Sequence, residues 1–323
     1  MQRNWLCALA CATTLFTGTA QAADSYPSKP VTMVVPYPAG GATDVVARAV
    51  AEKLTQGWGQ TVIVENRAGA GTTIGASSVA RAKGDGYTLF MTTSAHTISG
   101  HLYSKLNYDP VKDFAPITLV TKVPLVLVVN PDVPAKTLPE FLTYLKEHSA
   151  SVNFASPGNG TAQHLSGELF KIATQSRITH VPYRGDAPAF TDLAGGQVQM
   201  MLATITSALP LIESGKLRAL AVANGKRVQA LRDVPTFAEA GMPGFEAATW
   251  FGLLAPASMP RAQAQRIYQD VSKIVATPAM QTRIEAMGGE VVNSTPQAFA
   301  AFMGQEQEKW GQAVKASGAV AQQ

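Results

Sequence analysis

The sequence predicts an α/β fold with largely parallel sheets, divided into two lobes. Three observations predict it. Short apolar strands alternate with amphipathic helices along most of the chain, as strand–helix–strand units require. The 323 residues exceed the ~250 at which a single core stops growing. Apolar runs near Phe114 and Thr249 break the alternation and are suited to carry the chain from one lobe to the other and back. The simplest arrangement is a first lobe made of residues 23–122 plus 248–323, with a second lobe, 123–247, inserted between them.

Residues 1–22 read as a secretory leader: Arg3, an apolar run from Trp5 to Phe16, then the small residues "AQA". Cleavage is expected after Ala22. The run is shorter than the ~20 residues that span a bilayer, and "ALA" before Cys11 fits a lipid-anchor signal poorly. Both cysteines, Cys7 and Cys11, fall in the leader. The exported chain would therefore hold no disulfide, catalytic thiol or cysteine metal site. No later stretch is long and apolar enough to span a membrane, which predicts a soluble mature chain. The 26 basic and 22 acidic residues are scattered, which suits a small anionic ligand and is too diffuse for nucleic acid.

The first unit is strand "VTMVVP", a proline and glycine turn, and a helix from about Asp44 to Gln56 with Val46, Val50 and Leu54 on one face. Strand "TVIVEN", a glycine turn, a small-residue helix around Thr73 to Arg81 and strand "YTLFMTT" follow. After Asp109 come two strands nearly end to end, "FAPITLV" and "PLVLVVN", with a proline between them. The second is continuously apolar, as expected of a strand buried on both faces. In "TLPEFLTYLKEH", Thr137 and Glu140 have capping-box spacing and Pro139 lies in the first turn. Strand "VNFAS", a helix to about Ala173, strand "ITHVPY", a helix ending at Gly195 and Gly196, and strand "VQMML" build the second lobe. "LRALAV" follows, "TWFGLLA" is the return path, and amphipathic helices fill the tail from about Arg261.

The turn "PYPAGGATD" leads from a strand into a helix and can offer an anion its backbone amides. It lacks the Lys of a phosphate-binding loop. "GAGTTIG" at 69–75 has its third glycine one residue late for a dinucleotide fingerprint, and no acidic strand end follows; it reads as a loop that lets strand and helix pack closely. In the first turn, Gly40 and Gly41 let successive amides converge on one oxyanion. Thr43 or Asp44 would cap the helix; with Asp44 as the cap, an anion would sit over the amides of residues 39 to 43. "SPGNGTAQH" repeats this chemistry with hydroxyls Ser156 and Thr161. Two neutral amide cradles suit a carboxylate better than a phosphate; two ordinary strand-to-helix turns are the alternative.

HExxH and GxSxG are absent, and no serine sits in a nucleophile elbow. His96 and His101 lie in a loop-like segment, His148 reads as solvent-facing, and His164, in a first helical turn, suits a ligand-side or capping role. No enzyme activity, metal or cofactor is expected. Tyr37, Tyr183 and Trp250 fall at strand ends, Trp250 as a packing residue. Arg184 could pair a second ligand carboxylate or a surface acid, and Asp186 reads as the N-cap of a helix at 187–195.

Taken together and in order, "YPSKPVTMVVPYPAGGATDVVAR", "VIVENRAGAGTTIGASSVARAKGDGYTLFMTT", "NFASPGNGTAQHLSGELF", "VPYRGDAPAFTDLAGGQVQMM", "SGKLRALAV" and "VPTFAEAGMPGFE" resemble the Bug family of periplasmic solute-binding receptors, the extracytoplasmic component of tripartite tricarboxylate transporters. The resemblance implies a two-lobed periplasmic-binding-protein fold, a type II-like Venus flytrap with its ligand cleft between the lobes. It implies a carboxylate held by backbone amides of the two glycine loops, partly through waters. Carried over, the site is Tyr37, Ala39, Gly40, Gly41 and Thr43 in the first loop and Ser156, Gly158, Asn159, Gly160, Thr161 and His164 in the second. Thr93 and Ser94 after "YTLFMTT", Tyr183 beside "RGDAP" and Thr204 complete it. The implied partners are a small carboxylate and the membrane subunits of the transporter, with no nucleic acid, a periplasmic location and a monomeric state.

The chain departs from the family where Gln199, Ala203 and Thr204 stand in place of the usual Asp or Asn. An ammonium group needs a buried acceptor, so the expectation is a non-amino carboxylate: an aliphatic dicarboxylate, or an aromatic acid against Tyr37 or Tyr183. A ligand-sensing accessory of a signalling system is the alternative function, and an unrecognised hydrolase a third.

Overall fold

The computed structural model describes residues 26–319; the expected leader, with Cys7 and Cys11, lies outside them. Strand β1 (Val31–Val35) leads through the first glycine turn into α1 (Ala42–Trp58), β2 (Val62–Asn66), α2 (Thr73–Ala80), β3 (Thr88–Thr93) and α3 (Ala95–Leu102). β1 sits between β2 and β3 and is parallel to both. Val46, Val50 and Leu54 of α1 are buried together, as their spacing requires.

The two strands expected after Asp109 are one, β4 (Phe114–Val129). It is followed by α4 (Leu138–His148), β5 (Asn153–Ser156), α5 (Ala162–Thr174), β6 (Thr179–Pro182), α6 (Asp186–Ala194), β7 (Met200–Thr204), α7 (Ile205–Glu213) and β8 (Arg218–Val222). The return strand is β9 (Ala248–Pro256), and α8 (Arg261–Val275), α9 (Pro278–Ala286), the short β10 (Glu290–Val291) and α10 (Pro296–Ser317) close the described chain. β4 pairs with β9 as far as Pro124 and with β7 from Leu125 onward. Pro124 lies at that change of partner, where the N–H it lacks disturbs the ladder least.

The sheet runs β2-β1-β3-β9-β4-β7-β5-β6, with β8 and β10 also on β4. Its two ends are parallel, but every pair made by β4 or β9 is antiparallel. The expectation of largely parallel sheets thus fails at the centre, because the crossing strands run against both parallel sets. Thr137 caps α4 by accepting from the Glu140 N–H, while the Glu140 carboxylate accepts from the Lys136 N–H.

Helices that follow the two parallel sets of strands meet across a shared apolar cluster. Ile98 and Leu102 of α3 pack with Ala162 and Leu165 of α5 and with Trp310 and Ala313 of α10. Trp250 is buried, as a packing residue should be. Its indole N–H and that of Trp310 both donate to Glu306 Oε2, at 3.0 and 2.7 Å, which fastens α10 to β9. Among the described residues no helix is long and apolar enough to cross a membrane.

Candidate functional site

α1 begins two residues earlier than expected, at Ala42. Its N-cap is Gly41, which has no side chain to bond the free amides of the first turn. Neither Thr43 nor Asp44 is the cap. Asp44 lies inside the first turn, and its carboxylate reaches back to the Gly40 N–H at 3.0 Å. Arg48 Nε at 2.8 Å and Asn66 Nδ2 at 2.9 Å also donate to it. Burial pushes the Asp44 carboxyl up, but the hydrogen bonds from Arg48, Gly40 and Asn66 outweigh that and hold it below the usual carboxylate range. The Gly40 amide is therefore engaged within its own loop.

The end of α1 is met from the other side of the cleft. Asp186, in the first turn of α6, sends its carboxylate away from its own helix, whose N-cap is Gly185. Asp186 Oδ2 accepts from the Ala42 N–H at 3.3 Å and from the Ser207 hydroxyl, on α7, at 2.8 Å. It lies so close to Gly41 that a Cβ there would be 3.1 Å away. Oδ1 is shut away from solvent and has no protein partner. Burial raises the Asp186 pKa, and its two hydrogen bonds only partly oppose this. The N-cap role expected for Asp186 is replaced by this contact. Gly185 makes the geometry possible: its φ of +108° is one that L side chains resist, and a Cβ would sit 3.1 Å from the Pro38 ring.

Asp186, Gly41, Ala42 and Thr43 line a cavity of ≈ 20 Å³ with Tyr37, Thr93, Gln163, Thr204 and Thr249. That is room for about one water molecule. Tyr37 and Thr93 share a hydroxyl bond of 3.2 Å, and Gln163 Nε2 donates to Thr204 Oγ1 at 2.8 Å. Burial pushes the Tyr37 phenol well above its ordinary range. Ser94 lies behind this wall, 3.1 Å from the Thr249 hydroxyl. Pro38, Gly185 and Tyr37 border a wider groove of ≈ 630 Å³, walled by Gly158, Asn159, Thr161, Tyr183 and Arg184. A pocket of that size suits a small ligand.

The second loop satisfies itself. Thr161 caps α5 by accepting from the His164 N–H at 3.2 Å and donates to the Gly158 carbonyl at 2.8 Å. Ser156 Oγ bonds both the N–H and the carbonyl of Gly158 and lies 2.7 Å from His180 Nε2. The Gly160 N–H donates to His164 Nδ1 at 3.2 Å. His164 stacks on His180 with ring centroids 3.9 Å apart. Burial lowers the two rings to about 4 and about 3, the nearby partner ring adding to the drop at His180. Ser156 thus bonds Gly158 and His180, Gly160 bonds His164, and Gly158, Asn159, Thr161 and Tyr183 form the groove wall. The Tyr183 hydroxyl donates to Asp192 at 2.7 Å. Ala39 is exposed on the first loop.

The segment with His96 and His101 is helical rather than loop-like: both lie in α3, and His96 is buried with Nε2 2.7 Å from the Pro110 carbonyl. The sequence reading missed Thr249, did not single out Gln163 within the loop from Ser156 to His164, and missed what Asp186 does. Ala203 is fully buried and Thr204 lines the cavity, so β7 supplies no carboxylate there; Asp186 of α6, read from sequence only as a cap, lines the same cavity.

The fold and the cleft define a two-lobed solute-binding protein of the Venus-flytrap class, with an uncapped helix end at the cleft. The chain belongs to the tripartite tricarboxylate transporter receptor family, whose profile matches residues 46–319. It is 36% identical over 299 residues to the protein BugT of Bordetella pertussis, covering 92% of each chain. It is similar to the R. palustris protein Rpa4515, solved with adipate, at a TM-score of 0.89 and 34% identity, over 91% of this chain and 99% of that one. It is also similar to MatC of Rhodopseudomonas palustris, solved with bound malate, at a TM-score of 0.84 and 35% identity, over 90% of this chain and 100% of that one. The family is one of solute-binding receptors.

Proposed function

We propose that this protein is an extracytoplasmic receptor that captures a small carboxylate between its lobes and hands it to the membrane subunits of a tripartite transporter. One observation carries the reading: the uncapped end of α1 already holds a carboxylate, that of Asp186, delivered from the opposite lobe. A helix end that accepts an internal carboxylate at one amide keeps further first-turn amides that suit a free one. The adipate and malate held by its two structural neighbours favour an aliphatic dicarboxylate over an aromatic acid. The lobes are taken as 23–122 with 248–323, and 123–247; the change of partner along β4 at Pro124 supports the first boundary. The receptor acts as a monomer in the periplasm, reached through the leader at 1–22, and releases its ligand unchanged.

Thermal unfolding of the chain from Ala23 to Gln323 against aliphatic di- and tricarboxylates, aromatic acids and amino acids tests this. A ligand at 100 times its Kd adds about 2.7 kcal/mol. A shift with a few acids is expected. No shift with any of them, together with a native mass spectrum free of bound ligand, would overturn the receptor reading.

A further inference from the structure

We propose that Asp186 sets ligand selectivity: its free carboxylate oxygen favours a small acid that carries an N–H or O–H donor beside its carboxylate over the same acid without one. The assignment rests on the receptor reading above and names the ligand class of that site. Asp186 Oδ2 is fixed from two elements, by the Ala42 N–H of α1 and the Ser207 hydroxyl of α7. The side chain is therefore held in one orientation, and Oδ1, buried and without a protein partner, is the unpaired acceptor of a residue that lines the cavity. A buried acceptor left unpaired is costly, so a ligand that supplies the missing donor gains over one that does not.

The other walls of the cavity strengthen the choice. Their polar side chains are hydroxyls and one amide, from Tyr37, Thr93, Thr204, Thr249 and Gln163, with Pro38, Pro157 and Phe251 as apolar walls, and no Lys or Arg lines the cavity. An unsubstituted dicarboxylate would bring its own charge beside that of Asp186 with no cation between them. A hydroxyl or ammonium group instead donates to Oδ1. The cavity of ≈ 20 Å³ has the size of such a group. In this way α6 supplies the acceptor that Ala203 and Thr204 on β7 do not.

The test is titration calorimetry of the ligand-free chain and of Asp186→Asn with three matched sets of acids. The sets are succinate, malate and aspartate; glutarate, 2-hydroxyglutarate and glutamate; and phenylacetate, mandelate and phenylglycine. Members of each set differ only at the carbon beside the acid, which carries H, OH or NH3+. In at least one set the wild type should bind a donor-bearing acid about tenfold or more tightly than the unsubstituted one, the gain of a charge-assisted hydrogen bond. Asp186→Asn should reduce that preference to about threefold or less, because the amide can turn a donor toward the ligand. Hydroxyl and ammonium arms tell which donor is preferred. Ser207→Ala, which loosens the side chain but keeps its charge, should retain part of the preference and guards against a misfolded Asn variant. Equal or tighter binding of the unsubstituted acids by the wild type, or a preference that survives in Asp186→Asn, would overturn the assignment alone. No binding by any of the acids would overturn it together with the receptor reading.

Discussion

The two glycine loops share a sequence pattern and a position between strand and helix, yet they leave their helices in opposite states. The second is closed: Thr161 caps α5, and Ser156, Gly158, Gly160, His164 and His180 bond one another. The first is open: Gly41 offers α1 no cap, and the amide at Ala42 takes a carboxylate from across the cleft. The motif G-x-G or G-G before a helix therefore does not by itself make an anion seat. What decides is whether the loop carries a side chain able to reach its own helix end.

The largest effect should come from filling the open loop. Gly41 has a backbone that any residue can adopt, at φ −79° and ψ 171°, so Gly41→Val meets little backbone strain. Its Cβ would nonetheless sit 3.1 Å from the position of Asp186 Oδ2, and the γ-methyls would crowd any oxyanion there. Affinity should fall about 100-fold or more, equivalent to ~2.7 kcal/mol, while stability changes by about 1 kcal/mol or less. Gly158→Ala in the closed loop should do the reverse. Its φ of +144° is strained for alanine, but a Cβ finds its nearest neighbour 3.5 Å away, so stability falls by about 1–3 kcal/mol with affinity nearly unchanged. Calorimetry and denaturant unfolding of both variants would break the comparison if the two profiles coincided.

Acid should separate the loops next. His164 and His180 under the closed loop titrate at about 4 and about 3 when folded, below the ~6.5 of an unfolded histidine. The unfolded chain therefore takes up protons first, and stability present above pH ~6.5 is lost as pH falls toward 4. Each histidine contributes roughly 1 kcal/mol per pH unit, a value reduced for their partial exposure. His180→Phe, which can keep the stack on Phe154 and His164, should flatten that limb in a series of unfolding midpoints against pH. An unchanged slope would remove the histidines from the account.

A smaller effect isolates the cap. Thr161→Val keeps the shape but loses the bond to the His164 N–H, for which about 1 kcal/mol of stability is expected. Binding at the open loop should stay within about threefold. A loss of affinity as large as that of Gly41→Val would mean that both loops hold the ligand.

Most of the elements were legible because their cause is local: the spacing of Val46, Val50 and Leu54, or Thr137 before Pro139 and Glu140. Others were hidden by local signals that the tertiary fold overrides. Pro210 conceals α7, and the polar run around His96 and His101 conceals α3, which Ile98 and Leu102 stabilise by packing on α5 and α10. The alternation of strands and helices gave no warning that β4 and β9 run antiparallel to their neighbours. At the site, the residues of the first loop could be named from their glycines. The role of Asp186 could not, because its partner Ala42 lies 144 residues away and the nearer rule, an acid ahead of a helix, points to capping.

The smallest prediction concerns the guest of the open loop. Burial raises the Asp186 pKa, with the Ser207 and Ala42 bonds opposing it. Such a carboxyl keeps its proton in the fold at pH values where the unfolded chain has lost it, so its contribution is favourable in acid and is lost as pH rises through the unfolded and then the folded value. At pH 7 the ionised group burdens the folded protein. Asp186→Asn, whose amide oxygen can still accept from Ala42 and Ser207, should stabilise the ligand-free protein by about 0.5–1 kcal/mol, a rise of roughly 2–4 °C. The gain should vanish below pH 4. This acid response is opposite in sign to that of the histidines under the closed loop, so the two loops can be followed separately in one pH series. If Asp186→Asn destabilises at every pH, the attraction between the carboxylate and the α1 amides exceeds its desolvation, and the internal guest acts as a latch that a ligand must displace.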